Sequence, residues 1–298
     1  MANIIPVVFC FDKRIILGAS VAIKSLIDCA KDTTVYDIRI LHSDLSLENQ
    51  KNISKLTENT RHNIAFHYIN PSLFKNAPHN NGSWTELVYY RLLIPDVIQE
   101  YEKVIYSDVD VLFKGDLADV YNINLEGYEL AAVPVEANNA NQMICHTYFP
   151  ENTNEKIYIS SFLIINADLM RKEKTVKKFY STIKTIDKRL KFYDLDTLNI
   201  TCNRFYPLSF QYGTFQSVMY NSDIHKAQEY DFLKTVFSDE EIENAKNNTL
   251  MIHYAGKMGK PWRMKNPYPD YKEYMDKLPK ELVQFTLRDI RKKFFNKR

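Results

Sequence analysis

Two carboxylates interrupt an apolar run in Lys103-Val-Ile-Tyr-Ser-Asp108-Val-Asp110-Val-Leu-Phe113. Val104, Ile105 and Tyr106 precede them and Val111, Leu112 and Phe113 follow, so the segment otherwise reads as a buried strand. Ionised aspartates left unpaired in apolar surroundings are expensive, which calls for partners or a metal. A turn at the strand's end would aim both at one cation, and that cation could hold a diphosphate. The spacing alone is weak, because residues i and i+2 share a side of any extended chain. A second pair stands at Asp194 and Asp196. A polar strand face accounts for either pair; the flanking apolar residues favour a metal at the first. His253 closes the apolar run Leu250-Met-Ile-His-Tyr, where a histidine serves as a satisfied core residue or as a ligand. Two aspartates and one histidine suit manganese or magnesium completed by phosphate oxygens better than structural zinc.

The elements that must position these groups alternate between strand and helix. Residues 4–11, 36–41, 64–69, 103–106, 130–135, 157–166 and 249–254 read as strands, and 18–30, 85–93 and 175–186 as helices. Ser46 starts a further helix with Asn49 near a capping-box position, and Pro95 is expected to end the helix over 85–93. Strands and helices at this spacing predict an α/β fold with a mainly parallel sheet.

A chain of 298 residues can bury a large core, and its 45% apolar and 26% charged composition is that of a globular protein. A net charge of +2 gives no reason to expect nucleic acid, and neither zinc-finger spacing nor an RNA-binding signature is present. Cys10, Cys29, Cys145 and Cys202 are scattered without a C-x-x-C pair and read as reduced thiols. The N-terminus lacks a basic region before its apolar run, and no stretch has transmembrane length, so a cytoplasmic location is expected. Sequons such as Asn81-Gly82-Ser83 then carry little meaning.

The reading divides the chain into a domain over 1–265 and a basic helical tail over 266–298. Residues 279–298 hold seven basic side chains against two acids, a net +5 that leaves −3 for the remainder. Val283, Leu287, Ile290 and Phe294 follow helical spacing. Such a segment suits an anionic inner-membrane surface, at roughly 1 kcal/mol per basic residue. A solvated terminal helix packed by its apolar stripe fits equally well.

An ordered set of motifs resembles glycosyltransferase family 8, the retaining enzymes that include bacterial lipopolysaccharide galactosyl- and glucosyltransferases and glycogenin. Val7-Val-Phe-Cys-Phe-Asp12 opens it, followed by Val21-Ala-Ile-Lys-Ser25, Tyr90-Arg91-Leu92 and Tyr106-Ser-Asp-Val-Asp110 with Gly115-Asp116-Leu117. Phe162-Leu-Ile-Ile-Asn166, Asp194-Leu-Asp-Thr-Leu-Asn199 and His253-Tyr-Ala-Gly256 through Lys260-Pro-Trp262 complete it. The resemblance implies a GT-A type, single Rossmann-like nucleotide-sugar-binding domain. It implies a hexose, galactose or glucose, moved from a UDP-sugar to a glycan or lipid-linked oligosaccharide such as a lipopolysaccharide or capsule precursor.

The residue roles follow from the resemblance only where the motifs match. Asp108, Asp110 and His253 would hold manganese or magnesium, with Ser107 and Val109 beside them in the nucleotide-sugar site. Cys10, Phe11 and Asp12 would line the uridine, and Arg91 would reach the donor sugar or phosphates. Gly256 would let the backbone approach the diphosphate and Lys260 would neutralise it. Asp194 would accept hydroxyls of the donor sugar, and Asp194 or Asp196 would be the catalytic carboxylate. Each has a plainer alternative: Arg91 on a helix surface, Lys260 in a solvated loop, Asp12 at a helix N-terminus.

Several positions depart from the family pattern. Leu195 stands where the family usually has glutamine, and leucine can neither act as a carboxamide nucleophile nor hydrogen-bond a glycosyl cation. Ile159-Ser160-Ser161 replaces the common Asn-Ala-Gly or Asn-Ser-Gly, and Arg14 and Ile15 replace an asparagine and an aromatic. His-x-x-Gly-x-x-x-Lys has one residue more than usual. A non-catalytic protein that binds a UDP-sugar or glycan on the same fold is therefore the competing expectation. A nucleotidyltransferase is disfavoured by the absence of a Gly-rich phosphate loop after the first strand. Glu136 and the aromatics between Phe205 and Phe215 are candidates for acceptor contact, the latter equally for core packing.

Overall fold

β1 (Asn3–Cys10) sends alternate side chains to two different cores: Ile5, Val7 and Phe9 to one face, Val8 and Cys10 to the other. Strands buried on both faces are apolar throughout, as in sheets covered by helices on each side. β2 (Thr34–His42) and β3 (Asn63–Tyr68) extend the sheet in parallel on one flank of β1, and β4 (Lys103–Ser107) lies parallel on the other. β7 (Lys156–Asn166) runs antiparallel between β4 and β6 (Leu130–Ala137), and β8 (Phe205–Pro207) closes the far edge parallel to β6. The seven-stranded order is β3-β2-β1-β4-β7-β6-β8. The computed structural model describes residues 3–79 and 85–283.

A second, three-stranded sheet brings the candidate ligands together. β5 (Val111–Phe113) pairs antiparallel with β10 (Met251–His253), which pairs in parallel with β9 (Thr214–Phe215). Val111 stands opposite His253 in this register, so Asp110 and His253 are brought together by backbone pairing. The run from 103 to 113 is thus two strands in two sheets, with Asp108 and Asp110 in the bend between them.

α1 (Ile16–Asp28) connects β1 to β2 and packs on the Ile5–Val7–Phe9 face. Gly18 makes room for Trp262, since a Cβ there would lie 3.0 Å from the ring and force it to shift. α2 (Leu47–Ser54) begins at the expected capping box, Ser46 and Asn49 bonding reciprocally. Residues Glu86–Leu93 form a 3₁₀ helix, and Pro95 sits in the first turn of the short helix Ile94–Val97 without ending it, since no N–H is needed there. α3 (Thr175–Ile186) matches its predicted bounds. α4 (Asp194–Thr201) and α5 (Asp239–Asn247) were not expected, although Ser238 and Glu241 form a full capping box before the latter.

Part of the segment 266–298 is built into the core. α6 (Pro269–Asp276) buries Tyr271 and Met275 in the cluster that contains α1, and Leu278 and Leu282 follow them there. Lys55 pairs with Glu281 at 2.8 Å. Residues 284–298, which include Leu287, Ile290 and Phe294 of the expected apolar stripe, lie outside the described residues, as does the sequon at Asn81.

Candidate active site

Asp108, Asp110 and His253 offer three ligand atoms within 4.8 Å of one another. The Asp110 carboxylate lies 3.6 Å from His253 Nε2 and accepts from the Lys260 ammonium, which also donates to the Tyr254 carbonyl at 2.8 Å. Burial opposes ionisation of Asp110, but Lys260 and His253 outweigh it and hold the carboxyl well below its ordinary range. His253 is stacked on Phe215 and its Nδ1 has no hydrogen-bond partner among the described residues. Two carboxylates and an imidazole with a cation already drawn to them fit a divalent metal of the manganese or magnesium type.

Arg91 is buried, at 8% exposed, and is neither on a surface nor open to solvent. Its guanidinium meets Asp108 at 3.0 Å and Asp194 at 3.2 Å, donates to the Ser160 carbonyl at 2.8 Å, and lies over the Tyr106 ring. Tyr106 also donates to Asp108 at 2.6 Å. The sequence motifs around residues 91, 108 and 194 are therefore one ion network, and Ser160, noted only as a departure, is part of it. Burial pushes the Asp194 carboxyl up to about 6 against the opposing pull of Arg91.

The two acids of the second pair point to different work. Asp194 opens α4 and faces Arg91; Asp196 turns back and accepts the N–H groups of Lys191 at 2.7 Å and Phe192 at 2.8 Å. Leu195 between them is packed in the core. Tyr193, immediately before the helix and the acid pair, has a positive φ of +44°.

At the end of β1, Asp12 caps the following 3₁₀ turn and is held by Arg14, through its backbone N–H at 2.8 Å and its guanidinium Nε at 2.7 Å. Arg14 reaches on to Thr85 Oγ1 at 3.3 Å. Phe11 donates to the Leu41 carbonyl, and Cys10 and Phe11 are buried, with burial raising the Cys10 thiol. Ser107 and Val109 are also buried; Ser107 Oγ donates to the Asp108 carbonyl at 2.9 Å.

Gly256 has φ +81°, a backbone that favours glycine, and a Cβ there would lie 2.6 Å from Glu229 Oε1, forcing that carboxylate to move. Gln216, Gln228 and Glu229 pack against this loop, and no motif marked them. Glu136 is fully buried and its carboxylate accepts backbone N–H groups of Ile144, Cys145 and His146, holding that loop in place. Phe205, Phe210, Tyr212 and Phe215 are buried as core.

Known proteins resemble this chain in sequence and in fold. General stress protein A of Bacillus subtilis (strain 168) is 24% identical over 289 residues, which is 92% of this chain and 93% of that protein. Lipopolysaccharide 1,3-galactosyltransferase of Salmonella typhimurium is 24% identical over 272 residues, 87% of this chain and 73% of that one. The crystal structure of the galactosyltransferase LgtC with donor and acceptor sugar analogs has a TM-score of 0.72 at 21% identity, covering 93% of this chain and 98% of LgtC. That likeness establishes the GT-A fold, with its seven-stranded, mainly parallel mixed sheet. The family match spans residues 6–266, and the chain belongs to glycosyl transferase family 8.

Proposed function

We propose that the protein is a metal-dependent, retaining glycosyltransferase that moves galactose or glucose from a UDP-sugar to a glycan or lipid-linked oligosaccharide, such as a lipopolysaccharide or capsule precursor. The observation that carries this reading is the convergence of Asp108, Asp110 and His253 beside Lys260. A divalent cation held by those three side chains would supply Lewis-acid stabilisation of the diphosphate that leaves. Lys260 neutralises the same charge, and Gly256 lets the backbone come close to it. Cys10, Phe11 and Asp12 line the uridine, with Ser107 and Val109 flanking the metal ligands. Arg91 reaches the donor sugar or phosphates and also fixes Asp108 and Asp194 in place. Asp194 accepts hydroxyls of the donor sugar.

In the transfer, the bond from the anomeric carbon to the diphosphate breaks while the acceptor oxygen bonds to the same face. The acceptor proton passes to a diphosphate oxygen, so no protein base is required. Leu195 in the core favours this route over one through a carboxamide nucleophile. The names of the lipopolysaccharide transferases among its relatives support the acceptor class.

Leu195 also favours the second reading, a protein that binds a UDP-sugar without transfer. UDP release separates the two, measured from UDP-glucose, UDP-galactose and their N-acetylated counterparts with manganese or EDTA, and with and without a lipid-linked oligosaccharide fraction. Manganese-dependent release from one donor supports the enzyme; binding without release in every mixture supports the rival.

No helix among the described residues is long and apolar enough to cross a membrane. The +5 charge of residues 279–298 supports a peripheral position on an anionic inner-membrane face. Because Leu282 is core, the informative truncation removes 284–298 alone. Flotation with anionic vesicles that is unaltered by that truncation excludes the membrane role.

A further inference from the structure

The loop 255–260 carries both Gly256 and Lys260, and its shape depends on a side chain outside every motif. Gln216 follows β9 directly, is fully buried, and donates from Nε2 to the carbonyls of Ala255 at 2.6 Å and Gly259 at 3.2 Å. One carboxamide thereby ties the two ends of a turn whose glycines have φ +81° and +89°. Gln228 supports the middle of the turn, accepting the Lys257 N–H at 3.1 Å. The Gln216 Oε1 has no hydrogen-bond partner among the described residues. A buried carbonyl left so is unfavourable by roughly 1–3 kcal/mol. Methionine would fill the same space without that cost, so the amide is explained by its N–H groups and by what they hold.

A trans peptide sets its C=O and N–H on opposite sides. Drawing the Ala255 and Gly259 carbonyls onto Gln216 therefore turns the N–H groups of Gly256 and Lys260 away from it. Neither N–H is taken by a backbone carbonyl among the described residues. Outward N–H groups on a turn, with a lysine ammonium on the same loop, form a cradle for an anion.

We infer that Gln216 is a positioning residue for the second phosphate of the nucleotide, acting through the loop it ties and not by contact. The inference rests on the UDP-sugar reading above. Titration calorimetry of the full chain with manganese tests it by comparing UDP with UMP, which lacks that phosphate. Gln216→Met is expected to weaken UDP about tenfold, the effect of losing a pair of hydrogen bonds that hold the cradle, and to leave UMP within about twofold, with the thermal midpoint little changed. Equal weakening of both nucleotides, or no change in either, overturns the inference while the UDP-sugar reading stands. Wild-type protein that binds neither nucleotide overturns both together. Should Gln216→Met not fold, Gln216→Asn, with its carboxamide on a shorter arm, is put through the same comparison.

Discussion

Asp108-Val-Asp110 and Asp194-Leu-Asp196 share a pattern and differ in everything the pattern leaves unsaid. The first lies in the bend between two strands of different sheets, where both carboxylates come within ligand reach of His253, Asp110 holding Lys260 and Asp108 holding Arg91. The second lies at the start of a helix, where one residue's rotation is about 100° and i and i+2 face apart. Asp194 therefore looks to Arg91 while Asp196 turns to the N–H groups of Lys191 and Phe192. Spacing selects candidates; the backbone beneath them decides whether two acids make one site or two separate jobs.

The sharpest way to break that comparison is at Asp110. Asp110→Asn keeps the shape, weakens the hold on Lys260 and removes a charged ligand from the proposed metal set. Turnover with manganese should fall by roughly 10³-fold or more, with manganese binding lost in calorimetry. Activity within tenfold of the wild type would show that the first pair is no more a metal site than the second.

The second pair predicts a split within itself. Asp194→Asn should lower turnover about 10- to 100-fold, with little change in stability, because it removes a charged acceptor from the proposed donor-sugar site. Asp196→Ala should do the reverse. It strips the partners from two backbone N–H groups in a buried turn and should destabilise the fold by about 2–3 kcal/mol, read by denaturant unfolding. Turnover per folded molecule should then change only a few-fold by the same principle that separates binding from positioning effects. If Asp196→Ala instead matches Asp194→Asn in both readouts, the two acids act as one catalytic pair.

Much of the frame was legible because it rests on local rules. The apolar runs of β1, β2 and β7, the α3 stripe, and the Ser46 cap with Asn49 each announce themselves within a few residues. The convergence of Asp108, Asp110 and His253 was legible because carboxylates and a histidine in apolar runs require compensation. What stayed hidden is relational. Nothing in Leu195 or Asp196 says that their backbone is helical, since Asp-Leu-Asp-Thr has neither a strong period nor a familiar cap. Residues that bind backbone at a distance along the chain carry no signature either: Gln216 ties a loop about 40 residues on, and Glu136 anchors 144–146 from near the end of β6. Pro95 misled by its type, because a proline at a helix start and one at its end look the same in sequence.

Glu229 provides a third case that isolates burial from partnership. Asp110 has cations and Asp196 has backbone N–H groups, whereas Glu229 is buried behind Gly256 with the Ser217 hydroxyl bonded to it. Burial pushes its carboxyl up to about 7. The native state then holds this proton more tightly than the unfolded chain does. Stability from Glu229 is full below about pH 4.5, the ordinary glutamate value, and is lost as pH rises through about 7. Glu229→Gln cannot ionise, so its stability relative to the wild type should grow from pH 5 to pH 8 by about 2–3 kcal/mol in denaturant unfolding. A difference that stays flat over that range would mean the carboxylate is compensated as well as Asp110 or Asp196. The three acids would then differ in function alone, and burial without a matched partner would have no measurable consequence at this loop.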